Sequence, residues 1–155
     1  MYYSFLKGIH LLGITLFFGN VIVTGVWKIF ANRTRSGNIL SFAQKMVNKT
    51  DWLFTLTGGS LLTASGILMA IEAGYHFIND RWLFIGIILF GLSTVFWLVE
   101  LIPLQIKLTK ISKEFNHNSK ITDEYWALER RWFLIGWAGT ILPLINFYLM
   151  IFKPF

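Results

Sequence analysis

His10 is the residue of this chain best placed to do chemistry, because it stands inside an apolar run and shares a face with other polar groups. At about 100° per residue, Tyr3, Lys7, His10, Gly13, Phe17, Thr24 and Lys28 fall within roughly 60° of one line along a helix, with Asn20 at its edge. Such a stripe must turn toward protein or water, since polar groups are costly in hydrocarbon. His10 would lie about 13 Å along that helix from its start. Three roles fit an imidazole there. It could ligate haem iron or another metal, carry a proton, or hydrogen-bond Ser65 or Thr63 of a neighbouring span.

Glu100 is the second unusual group, since it sits in an apolar stretch shortly before Pro103. A lone carboxylate is expensive there, so Lys28 or Arg131 is its expected charge partner. The alternative is a protonated carboxyl in a proton or substrate path. Glu72, His76, Arg81, Asn146 and Lys153 lie near the same end of the chain's spans as His10 and could share a pocket with it. Glu72 and His76 have the spacing of a metal pair only if their helix continues past Gly74. His117 falls in a polar loop away from His10. The chain has no HExxH, no glycine-rich phosphate loop and no GxSxG elbow. The absence of cysteine excludes disulfides, iron–sulfur clusters and thiolate chemistry. No catalytic residue stands out.

The elements that must position these groups are membrane helices. Apolar residues make up 55% of the 155 and charged residues 14%, against roughly 25% charged in soluble domains. A core in so short a chain cannot hide that much apolar surface from water. A spanning helix needs about 20 mostly apolar residues. Four stretches meet this, roughly Ile9–Phe30, Trp52–Ala73, Trp82–Ile106 and Trp132–Phe152. The expected fold is therefore an all-α integral membrane four-helix bundle in one domain, with the bilayer as its first partner. Thr50 or Asp51 is the expected N-cap of the second span, and Asn79 or Asp80 that of the third. Pro103 and Pro143 should kink their helices.

The net charge of +6 resides mostly in the first and third loops, which reads as topology and affinity for anionic lipid, not as a nucleic-acid face. That bias places both loops in the cytoplasm and both termini on the outer side of the membrane. A shift of the second span onto the fourth pairs Trp52 with Trp132, Gly59 with Gly139 and Ser60 with Thr140, so the halves are either a parallel repeat or a chance likeness. Gly59, Thr63, Gly66 and Ala70 recur at three and four as a close-packing face, to which Gly86, Gly91, Gly136 and Gly139 add contacts.

The run Lys7-Gly-Ile-His10-Leu-Leu-Gly13, followed by Phe17-Phe18-Gly19, resembles the first helix of a group of small bacterial membrane proteins, the uncharacterised domain-of-unknown-function family 2269. The likeness covers nearly the whole chain, including Leu101-Ile-Pro103-Leu-Gln105, Arg131-Trp132-Phe-Leu-Ile-Gly136 and Lys153-Pro154. A more distant resemblance is to the haem-containing bacterial protoporphyrinogen oxidases (HemJ-type) and CopD-type membrane proteins. That likeness implies His10 as an axial ligand of haem b and its metal, with Lys7 in the shared motif. It implies a bacterial inner-membrane location as well. The pocket would be walled by Phe17, with Met69 or a second subunit as the other ligand. This chain departs from the oxidase pattern on the third helix, where Gly86 stands in place of a lysine, so the oxidase activity does not carry over.

Two functions are therefore open: a haem-b protein for electron transfer or tetrapyrrole handling, and a non-enzymatic permease-like unit. The second could also be an accessory subunit, with a homo-oligomer or a larger membrane complex as partner. For the topology, single cysteines replacing Arg33 and Lys113 should both be protected from a membrane-impermeant maleimide in intact cells, while one replacing Asn79 is labelled. Labelling of Arg33→Cys and Lys113→Cys from opposite sides contradicts the arrangement.

Overall fold

In lipid a helix satisfies its own peptide groups, which makes it the economical way for such a chain to cross. The computed structural model describes residues 1–116 and 119–154, and among them it holds four long helices and no strand. We label these α1 (Tyr2–Thr34), α2 (Gly37–Glu72), α3 (Arg81–Ser112) and α4 (Asp123–Phe152). All four are long and apolar enough to cross a membrane. At 1.5 Å per residue they run about 45–55 Å, well beyond a hydrocarbon core of about 30 Å. His117 lies outside the described residues.

The excess length gathers at the end that carries the basic connections. There the expectation for the second span needs correcting. Its helix starts at Gly37, not at Thr50 or Asp51, and Ser36 occupies the N-cap position. Leu40, Ala43 and Val47 recur at helical spacing and are all buried, so the segment before Asp51 packs as helix. Asp51 consequently lies mid-helix, with its carboxylate turned to other side chains. The fourth helix also begins before Trp132, at Asp123, where Thr122 Oγ1 accepts from the Tyr125 backbone N–H at 3.2 Å.

Two wide turns interrupt the spans. Asp51–Thr55 in α2 and Trp97–Leu101 in α3 are π-helical. The second directly precedes Pro103, whose ring would press on the Val99 carbonyl in a regular helix, and a wider turn relieves that pressure. The aromatic rings of the two turns meet, with Trp52 and Trp97 centroids 6.0 Å apart.

The helices pair as two hairpins, α1 with α2 and α3 with α4. In the first, Gly13 and Gly58 face each other backbone to backbone. A Cβ on Gly58 would lie 2.7 Å from the Phe17 nitrogen, and one on Gly13 would lie 2.9 Å from the Leu62 nitrogen. In the second, a Cβ on Gly86 would overlap Asn146 and the Met150 methyl. Ser93 Oγ donates to the Gly139 carbonyl at 2.9 Å. Two apolar clusters tie the hairpins together. At the basic end all four helices contribute, through Ala31, Val47, Leu108, Tyr125, Trp132 and neighbours. Near the termini Ala70, Trp82 and Leu83 pack with Tyr75, Phe77 and Met150.

The small residues divide differently from the single packing face expected of them. Gly91, Gly136 and Gly139 have nothing within 4 Å of where a Cβ would stand, and Gly59 meets only ring atoms at 3.8 and 3.9 Å. Periodicity marks a face, but whether a helix or a void lies opposite depends on its partner's path. Gly58→Val should therefore lower the midpoint of thermal unfolding in detergent, at a cost of about 1–3 kcal/mol from overpacking. Gly91→Ala, with open space around it, should leave the midpoint unchanged or raised by up to about 1 kcal/mol.

Candidate functional site

Between their ends the two hairpins part, and all four helices line a cavity of about 590 Å³. Phe17, Val21 and Ile22 of α1 face Leu56 and Ala64 of α2, Phe90 of α3 and Trp137 of α4 across it. The loosely packed glycines are among its walls: Gly59, Gly136 and Gly139 all line it. The repeat likeness reappears here as geometry. Leu56, Gly59, Ser60 and Thr63 line the cavity, and so do Gly136, Gly139, Thr140 and Pro143, the positions paired with them by the shift of the second span onto the fourth.

The basic end of this cavity is floored by polar groups that the four helices bury together. Asp51, from the wide turn of α2, is 7% exposed. Its Oδ1 accepts from Asn20 Nδ2 at 2.7 Å and from Thr55 Oγ1 at 3.1 Å, and its Oδ2 accepts from Gln105 Nε2 at 2.6 Å. Asn20 also donates to Thr55 Oγ1 at 2.9 Å. About two turns of α1 beyond Asn20, Lys28 is 1% exposed and pairs with Glu129 of α4 at 2.6 Å, while donating to Gln44 of α2. Its ammonium also lies 4.5 Å from the centroid of the Trp132 ring. Asn32 Nδ2 donates to the other Glu129 oxygen at 2.8 Å. The layer thus joins a cation, two carboxylates and several amides, with every helix contributing. Asp51, Thr55, Gln105, Trp97 and Trp132 of this layer also line the cavity.

The chain matches the family described as "Predicted integral membrane protein (DUF2269)" over residues 4–154. It belongs to that family. No curated protein and no solved structure matches it. That description places the chain in a membrane and names no activity.

The stripe expected on α1 does face protein through Gly13, Asn20, Thr24 and Lys28, whereas Lys7 and Tyr3 are exposed. His10 is half-buried, with Nδ1 3.0 Å from Ser65 Oγ, one of the two bridging partners expected for it, and its ring lies against Gly66. Neither His10 nor Met69 lines the cavity, although Phe17 does. Of Lys7, His10, Phe17 and Met69, Phe17 alone lines this cavity. Among the described residues no three His, Asp or Glu side chains converge as a metal cage. Gly86 is a contact point for Asn146 and Met150, whose side-chain ends would have to shift to admit even a Cβ.

The charge pairs sort themselves by depth. Glu100 pairs with Arg131 at 2.7 Å, both partly exposed, which leaves Lys28 to Glu129. Glu72 is exposed and has no ion pair among the described residues. Lys153 lies on Tyr75 and Trp82, and Asp80 accepts from the His76 backbone. Sequence reasoning missed Asp51, Gln44, Gln105 and Glu129. The helical spacing of Leu40, Ala43 and Val47 was the available signal, since it carries α2 back through Asp51.

Removing one member of the buried ion pair should be far worse than removing both. Lys28→Met alone strands a carboxylate and should cost about 3–5 kcal/mol, whereas Lys28→Met with Glu129→Leu should recover most of that loss. Denaturation midpoints of the two variants in one detergent check this.

Proposed function

We propose that this protein is a non-enzymatic, membrane-embedded binding unit for a lipophilic molecule, working as a small permease-like carrier or as an accessory subunit that presents its cargo to a partner. A bacterial inner membrane, with the basic end in the cytoplasm, is the setting that fits its charge distribution. The observation that carries the reading is the cavity itself. Helix bundles that serve only as structure fill their interiors at close-packed density, whereas here three glycines keep a space open. Its walls are almost wholly apolar, and its volume falls within the usual 300–1,000 Å³ of small-molecule sites.

The polar floor favours binding over chemistry. Asp51 is already occupied by Asn20, Thr55 and Gln105, so it serves to fix the floor in place. Glycine at 136 has space for a side chain only because the cavity lies beside it. A Cβ there meets nothing within 4 Å, so a phenylalanine at this position starts into open space beside the cavity.

Protein extracted directly from its membrane in polymer nanodiscs, then analysed by solvent extraction and mass spectrometry, tests this. The wild type should carry a lipophile enriched over the bulk membrane, and Gly136→Phe should lose the enrichment while melting normally. Extracts indistinguishable from bulk lipid in both would end the reading. A Soret band in the same preparation, lost in His10→Ala, would replace it with haem b binding.

A further inference from the structure

The walls contributed by α1 and α4 continue beyond the cavity. On α1, Ile22, Gly25, Ile29 and Asn32 follow one another at three and four, so they form one stripe. On α4 the matching stripe is Trp126, Arg130, Phe133, Trp137 and Thr140. The two helices run antiparallel in a register set by the Asn32–Glu129 and Lys28–Glu129 contacts and by the Phe18–Phe147 ring pair at 6.0 Å. That register brings Ile29 level with Phe133, and Asn32 level with Arg130. The apolar parts of both stripes line the cavity. Their polar ends line a second pocket at the basic end, formed by Asn32, Arg35, Asp123, Trp126, Ala127 and Arg130.

We propose that the gap between α1 and α4 seats one anionic lipid, its phosphate between Arg35 and Arg130 and its chain running along the stripes into the cavity. This rests on the cavity as a lipophile site and names the class of its occupant. The charge is complementary. Lys28 and Arg131 are neutralised by Glu129 and Glu100, but Arg35 and Arg130 make no ion pair among the described residues, and the pocket's one acid is Asp123. Two guanidiniums and one carboxylate leave it net positive. Guanidinium is the side chain best shaped for phosphate oxygens.

The dimensions agree with the charge. From Ile22 to Arg35 is thirteen positions, about 20 Å along a helix. Half of a bilayer, headgroups included, is also about 20 Å. The basic pocket therefore lies at headgroup level when the cavity lies near the bilayer centre. Trp126 in the pocket is the residue type that favours this interface. Arg35 also holds its place against a backbone cost: it closes α1 with φ at 50°, a conformation easier for glycine.

The test uses the full-length protein, delipidated in a non-ionic detergent and titrated with phosphatidylglycerol or phosphatidylcholine, with retained lipid counted by native mass spectrometry. The wild type should hold one phosphatidylglycerol roughly thirty-fold more tightly than phosphatidylcholine, the effect expected of two basic side chains. Arg35→Gln with Arg130→Gln should bring phosphatidylglycerol down to the phosphatidylcholine level without altering the melting profile. Gly136→Phe should weaken both lipids. Equal retention of the two lipids by the wild type overturns the proposal, as does an unchanged preference in the double arginine variant. So does full displacement of phosphatidylglycerol by millimolar inorganic phosphate, which would mark a site for soluble anions. If the arginine variant changes nothing while Gly136→Phe still abolishes retention, the anionic headgroup is wrong and the cavity reading stands. If Gly136→Phe changes nothing, the cavity reading fails too.

Discussion

Lys28 and Glu129 are held almost out of reach of water, and neither could sit there alone. The cost of stranding either charge makes their contact a constraint on backbone positions. It ties α1 to α4, Gln44 adds α2, and Gln105 brings in α3 through Asp51. Lipid gives helices no hydrophobic reason to associate, because an alkyl chain solvates leucine as well as another leucine does. In that solvent a layer of polar groups that can be satisfied only together is a strong source of specificity. The apolar cluster of Leu40, Val47, Leu108 and Tyr125 grows from the same layer, where the helices project beyond the hydrocarbon.

Pinning the hairpins at the basic end leaves freedom further up. Within each hairpin the helices close on glycine, at Gly13 with Gly58 and at Gly86 under Asn146. Between hairpins, ring contacts of Phe17 with Phe90 and Phe18 with Phe147 cross the middle, and a packed cluster forms again near the termini around Trp82. The open middle follows from this clamping at both ends, with glycines and small polar residues where filling side chains would otherwise stand. Apolar walls, a floor built on paired charges, and a flanking pocket whose Arg35 and Arg130 make no ion pair among the described residues are the features on which the proposed amphiphile site rests.

The four spans and their apolar character were legible in the residues because hydropathy over some 20 positions is a local property. So was the face of α1 bearing Gly13, Thr24 and Lys28, since helical periodicity alone places those residues together. Asp51 was misread for an equally local reason: an acid before an apolar run has the pattern of an N-cap. Its real partners, Asn20, Thr55 and Gln105, lie mostly on other helices. The glycines show the same limit from the other side. Gly58 and Gly136 look alike in sequence, yet one is pressed against a backbone and the other borders a void.

By itself, then, the sequence determined that this chain crosses lipid four times as helices, with its cations concentrated in the connections. Hydrophobicity, length and charge bias act along the chain and need no fold to be read. Which acid neutralises Lys28, which glycines pack and which stand open, and that Arg35 and Arg130 line one pocket were decided only by the tertiary structure. Each depends on the distance between residues far apart in the chain, and that distance is set by how the two hairpins cross.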